Sequence, residues 1–177
     1  MALMQTVLMA LYLGLVLYGA WSDARALRIP NWISLTILAA FFPMAAVSGL
    51  PLADVPWHVA AGLVTLVAGF TLFAFGLLGG GDAKLMAACA LWIGWRDLWL
   101  FVLAVLLVGG VLSLLVILLR KGLGLWPQWL VAHASGLFTP NKAVPYGIAI
   151  AAGALLMAPR MAVFPEGWRM IFAVLAG

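Results

Sequence analysis

The stretch Gly79-Gly80-Gly81-Asp82-Ala83-Lys84-Leu85 sets a run of glycines ending in an acid between two apolar segments. The chain around it is 67% hydrophobic and only 8% charged. A carboxylate beside hydrocarbon is costly, so such acids face a bundle interior or a water-filled site, where they take part in chemistry or transport. The fold and the function both turn on which other polar group Asp82 meets.

Composition narrows the field first. With 177 residues, fourteen formal charges and a mean hydropathy of +1.21, the chain lies far from soluble domains, whose charged fraction is near a quarter. The expectation is one integral-membrane domain, all-α, spanning residues 1–177. Its one cysteine, Cys89, excludes an internal disulfide and a cysteine-based zinc cluster. His58 and His133 lie in different segments, so no metal-ligand spacing exists and no metal or cofactor is expected. Basic residues are scattered singly or in pairs within a net charge of +4, which argues against nucleic acid as a partner. The first apolar run lacks a preceding basic region and reads as a retained helix.

Crossing the hydrocarbon takes about 20 residues of helix. Apolar runs over residues 3–21, 32–50, 57–78 and 98–119 fit that length, and shorter helices are predicted over 82–95 and 145–157. Together they predict a polytopic bundle of about six transmembrane helices, with the tail from Met161 forming a re-entrant segment or a short final helix. Pro30 stops the first helix from continuing, and Asn31 is placed to cap the second. Gly62, Gly69 and Gly76 recur at intervals of seven along the third helix, a stripe that admits a close neighbour. The fourth helix, too short to cross a bilayer alone, belongs inside the bundle. The longest break, residues 122–143, holds Trp126 and Trp129, which suit a membrane–water interface.

Alternating spans put Arg25, Arg28, Lys84, Arg120, Lys121 and Lys142 on one side and Arg96, Arg160 and Arg169 on the other. The richer side is then cytoplasmic and the N-terminus outside. The same alternation brings Asp23 and Asp82 to the cytoplasmic side, each at a helix end, and Asp54, Asp97 and Glu166 to the opposite one.

Two carboxylates a few ångströms apart cannot both ionise comfortably, so one keeps a proton and the pair supplies an acid and a base at neutral pH. Such a pair can activate a water against an amide carbonyl and protonate the leaving nitrogen. Competing readings stay open at this point. Asp82 alone is equally well explained as a helix cap after glycines, and Asp23 alone as a solvated helix-end acid. Lys84 reads as a snorkelling interfacial lysine, Cys89 as packing, and both histidines as loop or helix-end polar groups. A phosphate loop is rejected, since no Gly-Lys-Ser/Thr follows the glycines.

Gly79-Gly80-Gly81-Asp82-Ala83-Lys84 resembles the Gly-x-Gly-Asp-x-Lys signature of type IV prepilin peptidases, which are membrane aspartic proteases. Asp23 followed by Arg28-Ile29-Pro30-Asn31 is similar to the family's first aspartate and its basic-aliphatic-Pro-Asn turn, and Pro145-Tyr146-Gly147-Ile148-Ala149 to its Pro-aromatic-Gly-x-x-Ala segment. The resemblance implies that Asp23 and Asp82 form a catalytic dyad, with Gly79, Gly81, Lys84, Pro30, Asn31, Pro145 and Gly147 supporting it or binding substrate. It implies a prepilin or pseudopilin substrate, whose short basic leader is cut before a helix that stays in the lipid bilayer. Larger bacterial members carry paired Cys-x-x-Cys motifs between their first two helices and methylate the new N-terminus. Here Asp23 runs to Asn31 without such an insertion, as in the short peptidases of Flp-type, tight-adherence pilus systems, so cleavage without methylation is expected. A preflagellin-type peptidase, a small proton-coupled transporter and an inactive pilus-assembly subunit are the alternatives, and the oligomeric state is left open.

Overall fold

The computed structural model of the chain describes residues 1–121, 144–165 and 167. Among them are six α-helices: α1 (Ala2–Ala26), α2 (Asn31–Ser48), α3 (Val55–Ala74), α4 (Gly80–Ile93), α5 (Leu98–Lys121) and α6 (Tyr146–Met157), the last followed by a 3-10 turn, Ala158–Arg160. Four of them, α1, α2, α3 and α5, are long and apolar enough to cross a membrane. The helices α4 and α6, at 14 and 12 residues, are shorter. The predicted helical membrane bundle is therefore present, built from four full-length helices and two short ones. The break over 122–143, Glu166 and the tail beyond Gly167 lie outside the described residues, and with them His133, Lys142 and most of the segment expected from Met161, of which residues 161–165 are described as a non-helical turn.

The short helices can be short because they are enclosed. In α4, Leu85 and all seven residues from Ala87 to Ile93 are buried, and the helix packs against α2, α3, α5 and α6. Small residues make the α3–α4 seam. A Cβ on Gly69 would come within 2.9 Å of the Ala83 Cβ, and one on Gly62 within 3.3 Å of the Leu91 Cβ. Without a pull from water between helices in lipid, close backbone approach of this kind holds them together through dispersion. Towards the far end of α4 the core becomes aromatic. Tyr12 stacks on Trp92 at 4.4 Å, Phe164 meets both edge-on, and the Trp92 indole N–H donates to the Ile37 carbonyl at 2.9 Å.

Helix ends depart from the sequence-based boundaries for identifiable reasons. The α3 helix stops at Ala74, four residues before the predicted end. Gly76 takes φ +71° and donates to the Phe73 carbonyl, while Leu77 donates to the Leu72 carbonyl, both at 2.9 Å. That pair of bonds is the Schellman closure, which requires a left-handed residue. Gly76 thus ends the helix, and only Gly62 and Gly69 of the glycine stripe pack against a neighbour. The α1 helix runs past Trp21 to Ala26, so Asp23 sits inside its last turn, and Leu27 reverses the chain at φ 52°. Ser22 closes the α1–α2 turn by donating to the Arg28 carbonyl at 2.7 Å. His58, read as a loop or helix-end group, lies in the first turn of α3 but is buried. Its Nδ1 bonds the Leu91 carbonyl at 2.8 Å and its ring stacks on Phe41.

Candidate active site

Asp23 is only 5% exposed although it sits one turn from the end of α1. Its Oδ2 accepts a 2.8 Å hydrogen bond from the backbone N–H of Gly147, 124 residues away in sequence. Gly147 is the second residue of α6, after the cap residue Pro145, where a helix leaves its N–H groups unpaired. An anion is stabilised at that end by the aligned peptide dipoles as well. The approach demands glycine: a Cβ on Gly147 would lie 2.9 Å from the Asp23 Cβ and 3.1 Å from its Oδ2. Tyr146 anchors the start of α6 by laying its ring on Gly109 of α5, where a Cβ would come within 2.7 Å.

Asp82 does not cap α4. Gly79 holds the cap position, and Asp82 stands in the first turn, 9% exposed. Its Oδ2 lies 2.6 Å from where a Gly79 Cβ would be, and its Oδ1 is buried with no hydrogen-bond partner. A buried carboxylate oxygen left unpaired is costly, so the group is held here against its own solvation. Gly81 is constrained differently, with a would-be Cβ 3.1 Å from the Ile29 Cβ and 3.3 Å from its carbonyl oxygen. The middle glycine, Gly80, meets only the Phe73 ring at an ordinary 3.4 Å.

Asp23 and Asp82 line one cavity of about 380 Å³, and Pro30, Asn31, Gly79 and Gly81 share its wall. Their carboxyl groups are near enough to interact electrostatically. Lys84 and Pro145 do not line it. The Lys84 Nζ instead donates to the Asn31 Oδ1 at 2.9 Å on the exposed side, tying α4 to α2. Asn31 is consequently not a cap: Pro30 occupies the cap position of α2 and no side chain bonds there.

Ile29 holds these pieces in register. It is 8% exposed, and its atoms stand within 4 Å of the would-be Cβ atoms of Gly19, Gly81 and Gly147, on α1, α4 and α6. One branched side chain thus wedges between the helices that carry the two aspartates and the one that backs Asp23. The depth of the cavity is marked by aromatics. Tyr18 touches Trp21 and Trp32, both 51% exposed, and the Arg25 guanidinium lies 5.0 Å over the Trp21 ring. Trp57 and Trp95 pair at the other end of the bundle. Tryptophans at both rims suit the two membrane interfaces, and Asp23 lies two residues after Trp21.

These features define a helical membrane protein with two buried carboxyl groups on one end-cavity. The sequence profile of the type IV leader peptidase family matches residues 10–114. The chain belongs to that family, and is a peptidase in that general sense. The matched stretch contains Asp23 and Asp82 and ends before Gly147, so the Gly147 contact is a finding of the structure alone. No curated protein and no solved structure matches the chain.

Proposed function

We propose that the chain is a membrane aspartic endopeptidase that removes the short basic leader of Flp-type prepilins or pseudopilins at the cytoplasmic face of the bacterial inner membrane. The observation that carries this reading is the single cavity lined by both Asp23 and Asp82, within the family-matched stretch. One carboxyl group is protonated and the other ionised. The ionised one takes a proton from a water as its oxygen bonds to the scissile carbonyl carbon. The protonated one gives its proton to the amide nitrogen as the C–N bond breaks. One water is consumed, the leader leaves with a new carboxyl group, the mature helix starts with a free amine, and the pair still holds one proton. The roles belong to the pair, with no fixed base.

Sidedness is supported by charge. Arg25, Arg28 and Lys84 belong to the cavity's end of the bundle, whereas Asp54, Arg96, Asp97 and Arg160 gather around a cavity at the other end. The basic end is then cytoplasmic and the N-terminus outside. A basic leader suits a site lined by two acids. Methylation is not part of the proposal, because the cysteine motifs associated with it are missing from the connection between Asp23 and Asn31.

The test is mass spectrometry of a co-expressed Flp-type prepilin with and without this protein. The expected product is cut at the junction of leader and apolar helix and carries an unmethylated amine. An uncut precursor, or a cut elsewhere, contradicts the proposal.

A further inference from the structure

Both α2 and α3 pack on α4, and between them runs an apolar groove of about 400 Å³. Its walls include Leu38 and Phe42 of α2 and Leu63 and Phe70 of α3, and its floor includes Ala87. We propose that this groove seats the membrane helix of the substrate, N-terminal end towards Asn31, so that the residues just before that helix enter the carboxylate cavity. The inference rests on the peptidase reading and adds the place and direction of binding.

Three observations carry it. The groove and the carboxylate cavity share Asn31, so a helix lying in one leads its N-terminal extension directly into the other. The floor carries the small side chains of Ala87 and Ala88 beside Lys84 and Leu91, and small residues are where a helix in lipid approaches most closely. The third is Ser34, one turn below Asn31, which lines the groove and whose buried Oγ has no hydrogen-bond partner. A helical serine ordinarily bonds back to a carbonyl one turn earlier, as Thr65 does to Ala61 at 2.8 Å. A helix arriving with its N-terminus at this level brings unpaired first-turn N–H groups, which the Ser34 oxygen can accept.

A second apolar groove, of about 310 Å³ between α3 and α5, also has small residues, Ala68 and Gly69, in its lining but lacks the other two properties. It is lined by Leu72, Val102, Leu106 and Tyr146 among others, the Thr65 hydroxyl on its wall is already bonded, and it shares no residue with the carboxylate cavity.

The experiment uses the full chain in membranes with a co-expressed Flp-type prepilin. A photoreactive benzoylphenylalanine replaces Leu38 or Leu63 in one groove, or Leu72 or Leu106 in the other, in an Asp82→Asn background that leaves the precursor uncut. Adducts with the precursor are expected from Leu38 and Leu63. Adducts with lipid alone there, or with the precursor mainly from Leu72 and Leu106, overturn the inference. Kinetics give a second reading. Leu38→Trp and Leu63→Trp, at lipid-exposed positions, are expected to raise KM for the full precursor by about fivefold or more with kcat little changed. They should leave cleavage of a short peptide lacking the helix unaltered. An unchanged KM, while Asp82→Asn abolishes cleavage, sinks the groove and leaves the peptidase reading standing. Persistent cleavage by Asp82→Asn sinks the peptidase reading itself.

Discussion

The backbone N–H of Gly147 reaches the Asp23 carboxylate at 2.8 Å, joining the start of α6 to the last turn of α1. The bond fixes one carboxylate oxygen and leaves the other for water or substrate. It also gives the Pro145-Tyr146-Gly147 segment a task in positioning Asp23.

Gly147→Ala should therefore impair cleavage without unfolding the chain. Alanine is the better helix former, by roughly 0.5–1 kcal/mol, but its methyl meets the Asp23 Cβ, which is anchored to backbone and has little room to move. A carboxylate displaced by about 1 Å can cost about 10²-fold in rate. A loss of about 10- to 100-fold in kcat at unchanged abundance in the membrane is expected, and wild-type kcat refutes the positioning role.

The three glycines before Asp82 should respond unequally. Gly79→Ala forces the Asp82 carboxylate aside, and Gly81→Ala presses on the Ile29 backbone, whereas Gly80→Ala makes only an ordinary contact with Phe73. Initial rates at matched abundance should fall by about tenfold or more for the outer two and stay near wild type for the middle one. Equal losses at all three would mean that backbone freedom, rather than these contacts, explains the run.

Much of this arrangement was legible in the sequence. Counting alternating spans was enough to bring Asp23 and Asp82 to the same end, because helix length and hydrophobicity are local properties. Long-range partners were not. Nothing near Asp23 announces Gly147, and Ile29 reads as an ordinary aliphatic until three glycines from three helices are seen to close around it. Asn31 looked like a cap because its residue type favours that role, yet Pro30 took the cap and Lys84 took the amide. The end of α3 is hidden in the sequence because apolar residues continue to Leu78 and the left-handed Gly76 that stops the helix falls in step with the packing stripe of Gly62 and Gly69. The orphan Ser34 hydroxyl carries no sequence signal at all.

A pair that needs one proton has a pH optimum with two limbs. At low pH both carboxyl groups are protonated and no base remains, and at high pH both are ionised and no acid remains. The profile of kcat for the reconstituted protein should be bell-shaped, with limbs that belong to the pair. A rate rising steadily from about pH 4 to about pH 9 would show that no protonated carboxyl group is required.

The most direct measurement is the initial rate of prepilin cleavage by Asp23→Asn, Asp82→Asn and the double variant at matched abundance. Each substitution keeps size and hydrogen-bonding capacity while preventing ionisation. Acid–base groups contribute about 10²- to 10⁴-fold, so each single variant should lose at least about 10²-fold. Residues acting as a unit are not additive, so the double variant should be little worse than either single one. A single variant cutting at near the wild-type rate, or a double loss equal to the product of the two single losses, would contradict a shared site.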